Sequence, residues 1–266
     1  MGFEEFIRIY AYVLAGLVGL CVGSFLNVVI YRVPNGMNLA KPNSHCTTCD
    51  YMLRWYDNIP VLSYIMLGGR CRKCGQKISP RYMIVEIVNA VLWLLSVHLY
   101  WDENPVYAVL SALVLSTLIC IFFIDLEHML IFNRFVIIIL VAGIVSIFFD
   151  NYTVWYDHVI GAAVFGGGFA LIYYGCIWIL KREGIGFGDV KLALASGLLL
   201  GWQRMLLAML IASVSGSVIL VILKRVRGDE DGHEYPFGPF IAVGVGMAML
   251  FGEPIINWYL GLIGIC

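Results

Sequence analysis

The chain has 266 residues, of which 61% are hydrophobic and 13% charged, and its mean hydropathy is +0.87. This composition excludes a soluble globular domain, which typically carries about 25% charged residues. The 17 basic and 18 acidic residues leave a formal net charge of −1, so the chain has no excess of basic residues for binding nucleic acid. We therefore predict an all-α polytopic membrane protein, because a helix satisfies its own backbone polar groups in lipid.

Apolar runs separated by polar segments recur along the chain. The first run, residues 9–33, has no preceding basic region or small-residue cleavage site, and we predict an uncleaved span. Residues 34–82 are rich in Pro, Asn, Cys, Arg and Lys, and they form the one extramembrane module of any size. A short apolar tail covers residues 255–265. We predict about eight transmembrane helices, formed by residues 9–33 and by seven further runs: 83–100, 106–124, 135–149, 159–180, 190–200, 205–223 and 237–251.

Basic residues are concentrated on one side of the predicted spans. If the module at 34–82 is cytosolic, alternation of the spans places 15 of the 17 Lys and Arg residues on its side and only Arg8 and Arg204 on the other. Short cytoplasmic loops carry an excess of Lys and Arg. We therefore expect a multi-pass protein of the lipid bilayer with its N-terminus outside and the module in the cytosol.

Four of the eight cysteines form two C-x-x-C pairs in the module, Cys46 with Cys49 and Cys71 with Cys74. Two thiolates three positions apart can bind a tetrahedral cation from a tight turn, and two such pairs complete a closed zinc site. A pair of disulfides is the alternative, but cytosolic thiols stay reduced. We predict a structural zinc ion, because a module this short and polar has little hydrophobic core of its own.

Two acidic residues lie at the predicted cytosolic edge of the membrane. Asp125 closes the third span, and Asp189 opens the sixth. If the two carboxyls are close together they share a proton, so that one can activate water while the other protonates a scissile carbonyl. The simpler alternatives are a solvated residue just past a span for Asp125 and a helix N-cap for Asp189. Spacing along the chain does not decide between these readings.

Five further residues are candidates for supporting a site. Gly186 and Gly188 would let the backbone approach a substrate strand or a neighbouring helix. Asn27 and Glu86 are expected to hydrogen-bond between helices, or Glu86 to face a polar cavity. Lys191 lies two positions after the second acid, on another side of a helix, and is expected to extend its ammonium group to the cytosolic surface.

These motifs together resemble those of the type IV prepilin leader peptidases, and the resemblance covers nearly the whole chain. The two C-x-x-C pairs, Asp125 at a span end and Lys191 after the G-x-G-D motif carry it. The other matching segments are residues 23–32 (GSFLNVVIYR), 58–60 (NIP), 79–82 (SPRY) leading to Glu86, 186–189 (GFGD) and 236–240 (PFGPF). One departure is Phe132-Asn133, where the family usually has proline and aspartate.

The resemblance implies a membrane enzyme of pilus assembly or type II secretion, in the bacterial cytoplasmic (inner) membrane. Asp125 and Asp189 would be the catalytic pair, cleaving the leader of a prepilin or pseudopilin at the cytosolic membrane edge. The new N-terminal residue would then be methylated with S-adenosylmethionine, an activity that the family associates with the N-terminal part and the Cys-rich module. The expected division is a first span at 1–33, the zinc module at 34–82 and the peptidase core at 83–266.

Two other classes of protein remain possible on the residues alone. A zinc-stabilised transporter or channel would use the membrane acids as a proton or ion pathway, and it predicts acids spread through the membrane depth with some repeat symmetry. A non-catalytic scaffold would bind a partner through the Cys-rich module. In the scaffold, both Asp125 and Asp189 would be dispensable.

Overall fold

A computed structural model describes residues 2–41, 43–151, 153–182, 184–227 and 235–264. Within these residues the regular structure is helical, apart from two isolated β-bridges, His45 with Met52 and Arg70 with Lys77. The predicted all-α class is confirmed. The chain divides into two compact units, Met1–Cys120 and Ile121–Cys266.

The first unit contains two long helices and the Cys-rich module. Helix α1 covers Phe3–Arg32 and α3 covers Arg81–Tyr100, and between them lies the short α2, Leu62–Met66. Helix α4, Pro105–His128, begins in this unit and ends in the second.

Helices α1 and α3 pack closely because glycines remove the side chains from their contact. A Cβ atom at Gly19 would lie 2.8 Å from Ala90 Cα, and one at Gly23 would lie 2.8 Å from Glu86 Cα. Small residues permit this backbone approach between membrane helices. The amide of Asn89 also donates a 2.7 Å hydrogen bond to the Gly19 carbonyl. The packing places Glu86 against the glycine-containing face of α1.

The second unit is built around a long helix, α8, which covers Phe187–Arg227. It packs against α5 (Asn133–Phe149), α6 (Trp155–Gly161) and α9 (Gly238–Leu262). Helix α7, Gly167–Gly175, follows α6 through a π-helical turn at Ala162–Gly166, and a second π-helical turn at Cys176–Leu180 extends the apolar helical segment to Leu180.

Helix α8 is interrupted at Gly201, whose φ of +77° is outside the helical region. A Cβ atom there would lie 2.7 Å from Thr153 Cγ2, so glycine is required by both conformation and space. Just beyond the break, the buried Arg204 forms an ion pair with the buried Asp150. The break separates α8 into two apolar segments, residues 187–200 and 202–227.

Six helices in the described part of the chain are long and apolar enough to cross a membrane. The shorter apolar helix α5 and the division of α8 at Gly201 bring the apolar segments to the predicted number of about eight. The tail is not a separate segment, because α9 continues through Pro254 to Leu262. Membrane helices tolerate an internal proline when neighbouring groups satisfy the freed carbonyl. The last residue of the predicted tail, Ile265, lies outside the described residues.

Candidate active site and metal centre

Two carboxyl groups are buried near each other in the second unit. Asp125 lies in the last turn of α4 and is 5% exposed, while Asp189 lies in the first turn of α8 and is 8% exposed. The Asp189 carboxyl interacts electrostatically with Asp125. The backbone N–H of Gly238 donates a hydrogen bond to Asp125, and that of Gly186 donates one to Asp189.

The two simpler interpretations, a solvated residue past a span for Asp125 and a helix N-cap for Asp189, do not match the positions of these residues in the structure. Helix α4 continues to His128, so Asp125 lies inside the helix and buried rather than solvated beyond its end. Asp189 is the third residue of α8 and not its N-cap. Its carboxyl nevertheless accepts the N–H of the residue before the helix, as the third residue of a capping box does.

Ile131 packs between Gly188, which precedes Asp189, and Gly238, whose N–H donates to Asp125. A Cβ atom at Gly188 would lie 3.0 Å from Ile131 Cβ, and one at Gly238 would lie 3.0 Å from Ile131 Cδ1. A Cβ atom at Gly238 would also overlap the Asp125 carboxyl, lying 3.0 Å from its Cγ. The absence of side chains at these two glycines therefore lets the ends of α4, α8 and α9 converge.

The loop after α4 sets the position of that isoleucine. Met129 has a φ of +54°, which turns the chain sharply away from the helix, and its N–H still donates to the Asp125 carbonyl at 2.9 Å. A non-glycine residue at positive φ is uncommon and marks a specific turn. The turn directs Ile131 back between Gly188 and Gly238.

Lys191 is bound to a polar side chain and an aromatic ring. Its ammonium donates a 2.6 Å hydrogen bond to Asn133 Oδ1 and lies 4.9 Å from the ring centre of Phe187. Asn133 is one of the two residues at which the sequence departs from the family pattern, and its side-chain oxygen accepts this hydrogen bond. Lys191 thus connects the start of α8 to the start of α5.

The four cysteines of the module come together as a possible metal site. Their sulfur atoms all lie within 4.8 Å of one another, and the Sγ–Sγ distances are 3.9 Å for Cys46 with Cys74 and for Cys49 with Cys71. A tetrahedron with zinc–sulfur bonds of about 2.3 Å has sulfur–sulfur edges of about 3.8 Å. All four cysteines are free, so the disulfide alternative is not the arrangement found. The cluster could therefore bind one metal ion.

The electrostatics of this cluster favour at least partial ionisation. Backbone N–H groups of Thr48 and Cys49 lower the pKa of Cys46 to about 6. The Tyr51 N–H acts to lower the pKa of Cys49, but burial and the neighbouring thiols raise it to about 12. The first thiolate to form makes the next harder to form, because like charges repel. A divalent cation removes that repulsion, which fits a metal site.

A buried acid supports the module beside the cysteines. Asp57 accepts hydrogen bonds from Arg72 Nε at 2.7 Å and from the Tyr51 hydroxyl at 3.1 Å. Burial acts to raise the pKa of Asp57, but these bonds outweigh it and hold the pKa below its usual value. Asp57 is therefore an anion at neutral pH, and it links the loop of the second cysteine pair to the loop between the pairs.

The remaining two predicted residues, Asn27 and Glu86, both lie in the first unit. Asn27 donates from Nδ2 to the Tyr82 carbonyl at 3.0 Å, and Glu86 accepts a 2.7 Å hydrogen bond from the Val61 N–H. Both side chains line a cavity of about 430 Å³ in the first unit. Asn27 thus hydrogen-bonds between α1 and α3, and Glu86 lies on the cavity wall.

Two residues that contact the candidate active site were not among the predicted site residues. Gly238 lies in the PFGPF segment, whose glycine between two prolines was a visible signal. Ile131 carries no such signal, because a single isoleucine in a loop after an apolar helix is unremarkable in sequence. Only the folded arrangement reveals its contacts.

Comparison with known proteins identifies the family. Residues 17–100 match the Bacterial Peptidase A24 N-terminal domain, and residues 112–221 match the Type IV leader peptidase family. The chain is 35% identical to a Prepilin leader peptidase/N-methyltransferase of Pseudomonas aeruginosa, over 93% of each chain. Proteins of the same name from Pseudomonas putida (35%, 96% of each chain) and Aeromonas salmonicida (34%, 93% of each chain) are similar.

No solved structure matches the chain. The two family matches follow one another along the sequence, and the relatives align over nearly their full length. The chain therefore belongs to the type IV leader peptidase family.

Proposed function

We propose that the chain is an aspartic endopeptidase that removes the leader peptide of type IV prepilins or pseudopilins and then N-methylates the new N-terminal residue. The observation that carries the proposal is the pair of buried, interacting carboxyls of Asp125 and Asp189. The relatives that align over nearly the whole chain are named for this pair of activities.

Cleavage follows from two carboxyls that share one proton. The ionised member takes a proton from a water molecule, and the water oxygen attacks the scissile carbonyl while the protonated member donates to the carbonyl oxygen. The tetrahedral intermediate collapses when a carboxyl returns a proton to the leaving amine. Burial of Asp125 and Asp189 supports this chemistry, because both ionised states together are unfavourable in a low-dielectric site.

The charge distribution supports the orientation of the enzyme. Most basic residues lie on the module's side of the predicted spans, which favours a bacterial cytoplasmic membrane location with the N-terminus outside and the active site at the cytosolic edge. A prepilin whose basic leader stays in the cytosol presents its cleavage site at that edge. In this division, residues 1–33 form the first span, 34–82 the zinc module and 83–266 the peptidase core.

The metal in the module is zinc, with a structural role. Four thiolates around a tetrahedral centre leave no open coordination position for substrate or water, which favours stabilisation over catalysis. Cys46, Cys49, Cys71 and Cys74 would hold it, and the fit of their sulfur spacing to zinc–thiolate geometry supports this assignment. Bound metal would contribute directly to the folding of the module.

S-adenosylmethionine supplies the methyl group for the second activity. The chain's part is to bind this donor and to hold the new amine against it, in a geometry that replaces a bimolecular encounter by a positioned one. The name of the relatives supports this activity, and the module and the ends of α1 and α3 are the parts of the chain to which we assign it.

The transporter alternative is not favoured. Asp125 and Asp189 interact electrostatically with each other, which a spread of acids through the membrane depth does not predict, and the relatives are named as peptidases. Co-expression of the chain with a prepilin, scored by leader removal on gels and by N-terminal mass spectrometry, tests the proposal. We expect a shortened pilin with a methylated N-terminal residue. An intact prepilin, with the chain present in the membrane at normal abundance, would contradict the peptidase assignment.

A further inference from the structure

A cavity of about 430 Å³ lies among the end of α1, the start of α3 and the Cys-rich module. This volume is within the roughly 300–1,000 Å³ range of small-molecule and cofactor sites. All residues that line it belong to the first unit. Neither Asp125 nor Asp189 lines the cavity.

The cavity wall contains a buried acceptor that lacks a partner. Asn27 is 3% exposed, and its Nδ2 donates hydrogen bonds to the carbonyls of Gly23 and Tyr82. Its Oδ1 is buried without a hydrogen bond. An unsatisfied buried acceptor is unfavourable unless a ligand or water supplies the missing donor. The Oδ1 atom of Asn27 in the cavity wall therefore lacks a hydrogen-bond donor.

A buried carboxylate is held on the same wall at some conformational cost. Glu86 accepts hydrogen bonds from the Val61 N–H and from the Ser24 hydroxyl. Val61 has a φ of +60°, which is a strained conformation for a β-branched residue. The strained backbone aims its N–H at Glu86, so the position of this carboxylate is specified by both α1 and the module.

The rest of the wall complements a cationic, aromatic ligand with a carboxylate of its own. Tyr31, Tyr64 and Tyr82 line the cavity, and tyrosine rings bind both flat heterocycles and organic cations. Arg72 lines the module side; its Nε donates to Asp57, and its two terminal amino groups can bind the carboxylate of a ligand. S-adenosylmethionine has an adenine ring, a sulfonium cation, an ammonium group and a carboxylate, and each of these has a counterpart on the wall.

We propose that this cavity is the binding site of the methyl donor, with Glu86 facing the ammonium group that S-adenosylmethionine shares with S-adenosylhomocysteine and Asn27 accepting from one of the donor's N–H or O–H groups. The proposal rests on the N-methyltransferase half of the proposed function. It assigns the site to the junction of α1, α3 and the module, and it gives the module a direct role in forming the wall.

Binding of S-adenosylhomocysteine, the demethylated product, tests the site without any turnover. Isothermal titration of the purified full chain in lipid nanodiscs should show one site, and Glu86→Gln should weaken the affinity tenfold or more, since a charge-assisted contact is lost. Zinc content and the unfolding midpoint of the variant report whether the module is intact. Glu253→Gln on α9 makes the same chemical change outside the cavity and should bind as the unsubstituted chain does.

Photolabelling provides a second readout on the unsubstituted chain. Ultraviolet irradiation with methyl-labelled S-adenosylmethionine should label peptides that cover residues 24–31 or 79–86, and excess S-adenosylhomocysteine should prevent it. Unchanged affinity of a folded Glu86→Gln chain, or label confined to residues 121–266, would overturn the cavity assignment. If the Glu86→Gln variant does not fold, the positions of the label on the unsubstituted chain test the cavity assignment by themselves.

Failure of the cavity assignment and failure of the methyltransferase proposal have different outcomes. If the chain methylates a processed pilin peptide but is labelled outside the cavity, the methyltransferase proposal is supported and the cavity assignment is wrong. If the chain neither binds S-adenosylhomocysteine nor methylates the peptide, both the cavity assignment and the methyltransferase proposal are wrong.

Discussion

A graded series of glycine-to-alanine substitutions tests whether close backbone approach positions the two carboxyls. The added methyl group meets different surroundings at each position. At Gly238 it would overlap the Asp125 carboxyl and lie 3.0 Å from Ile131 Cδ1. At Gly188 its nearest neighbour is Ile131 Cβ at 3.0 Å, and at Gly186 it would lie 3.4 Å from Asp189 Oδ2, an ordinary contact.

These contacts predict the order of the effects. Overpacking of a tight site costs about 1–3 kcal/mol, and each 1.36 kcal/mol in a barrier is a factor of about ten in rate. We expect Gly238→Ala to slow cleavage about 5- to 150-fold, because the methyl group displaces the carboxyl itself. Gly188→Ala should slow it less, since the Ile131 side chain can shift. Gly186→Ala should change it least of the three.

Initial rates of leader removal from a purified prepilin, in membranes with matched enzyme abundance, measure the series. Gly167→Ala is the matched control, because it lies in helix α7 and its added methyl group would have nothing within 4 Å. A Gly238→Ala enzyme as fast as this control, or slower cleavage by Gly186→Ala than by Gly238→Ala, would refute the packing argument.

Three further predictions concern the carboxyls, the metal and the two activities. Asp125→Asn and Asp189→Asn should each abolish cleavage at normal membrane abundance while Glu127→Gln retains it, because an amide cannot exchange the shared proton; full cleavage by either variant would remove the two-aspartate mechanism. Elemental analysis should find one zinc per chain, and the combined Cys46→Ser and Cys71→Ser chain should lose it; no zinc in the native protein would contradict the assignment. Asp189→Asn should still transfer label from S-adenosylmethionine to a pre-cleaved pilin peptide, measured by scintillation counting, and loss of that transfer would show that the two activities share groups.

Composition and motif spacing were sufficient to predict the fold class and the four-cysteine cluster. Apolar runs of spanning length predict helices because lipid leaves no other partner for backbone polar groups. The two C-x-x-C pairs predict a four-sulfur cluster because each pair spans a tight turn, and the cysteines meet within 4.8 Å as that geometry requires. The helices and the turn within each pair depend on local sequence, whereas the meeting of the two pairs depends on the fold of the module.

The proximity of Asp125 and Asp189, unlike helix formation, does not follow from local sequence. They are 64 positions apart, and the interposed spans could place them at the same depth without contact. Resemblance to a family suggested their pairing, whereas spacing and charge did not. Their burial and mutual interaction depend on how α4, α8 and α9 pack.

The same distinction applies to the residues that surround each site. Ile131 acquires its position from a left-handed turn at Met129 and from the missing side chains of Gly188 and Gly238. The cavity beside Glu86 exists because α1, α3 and the module leave a space that none of them encloses alone. Helix formation and the turn within each C-x-x-C pair are determined within a few residues of sequence. Contacts between distant segments are decided by the tertiary structure, because their energies depend on which surfaces come together.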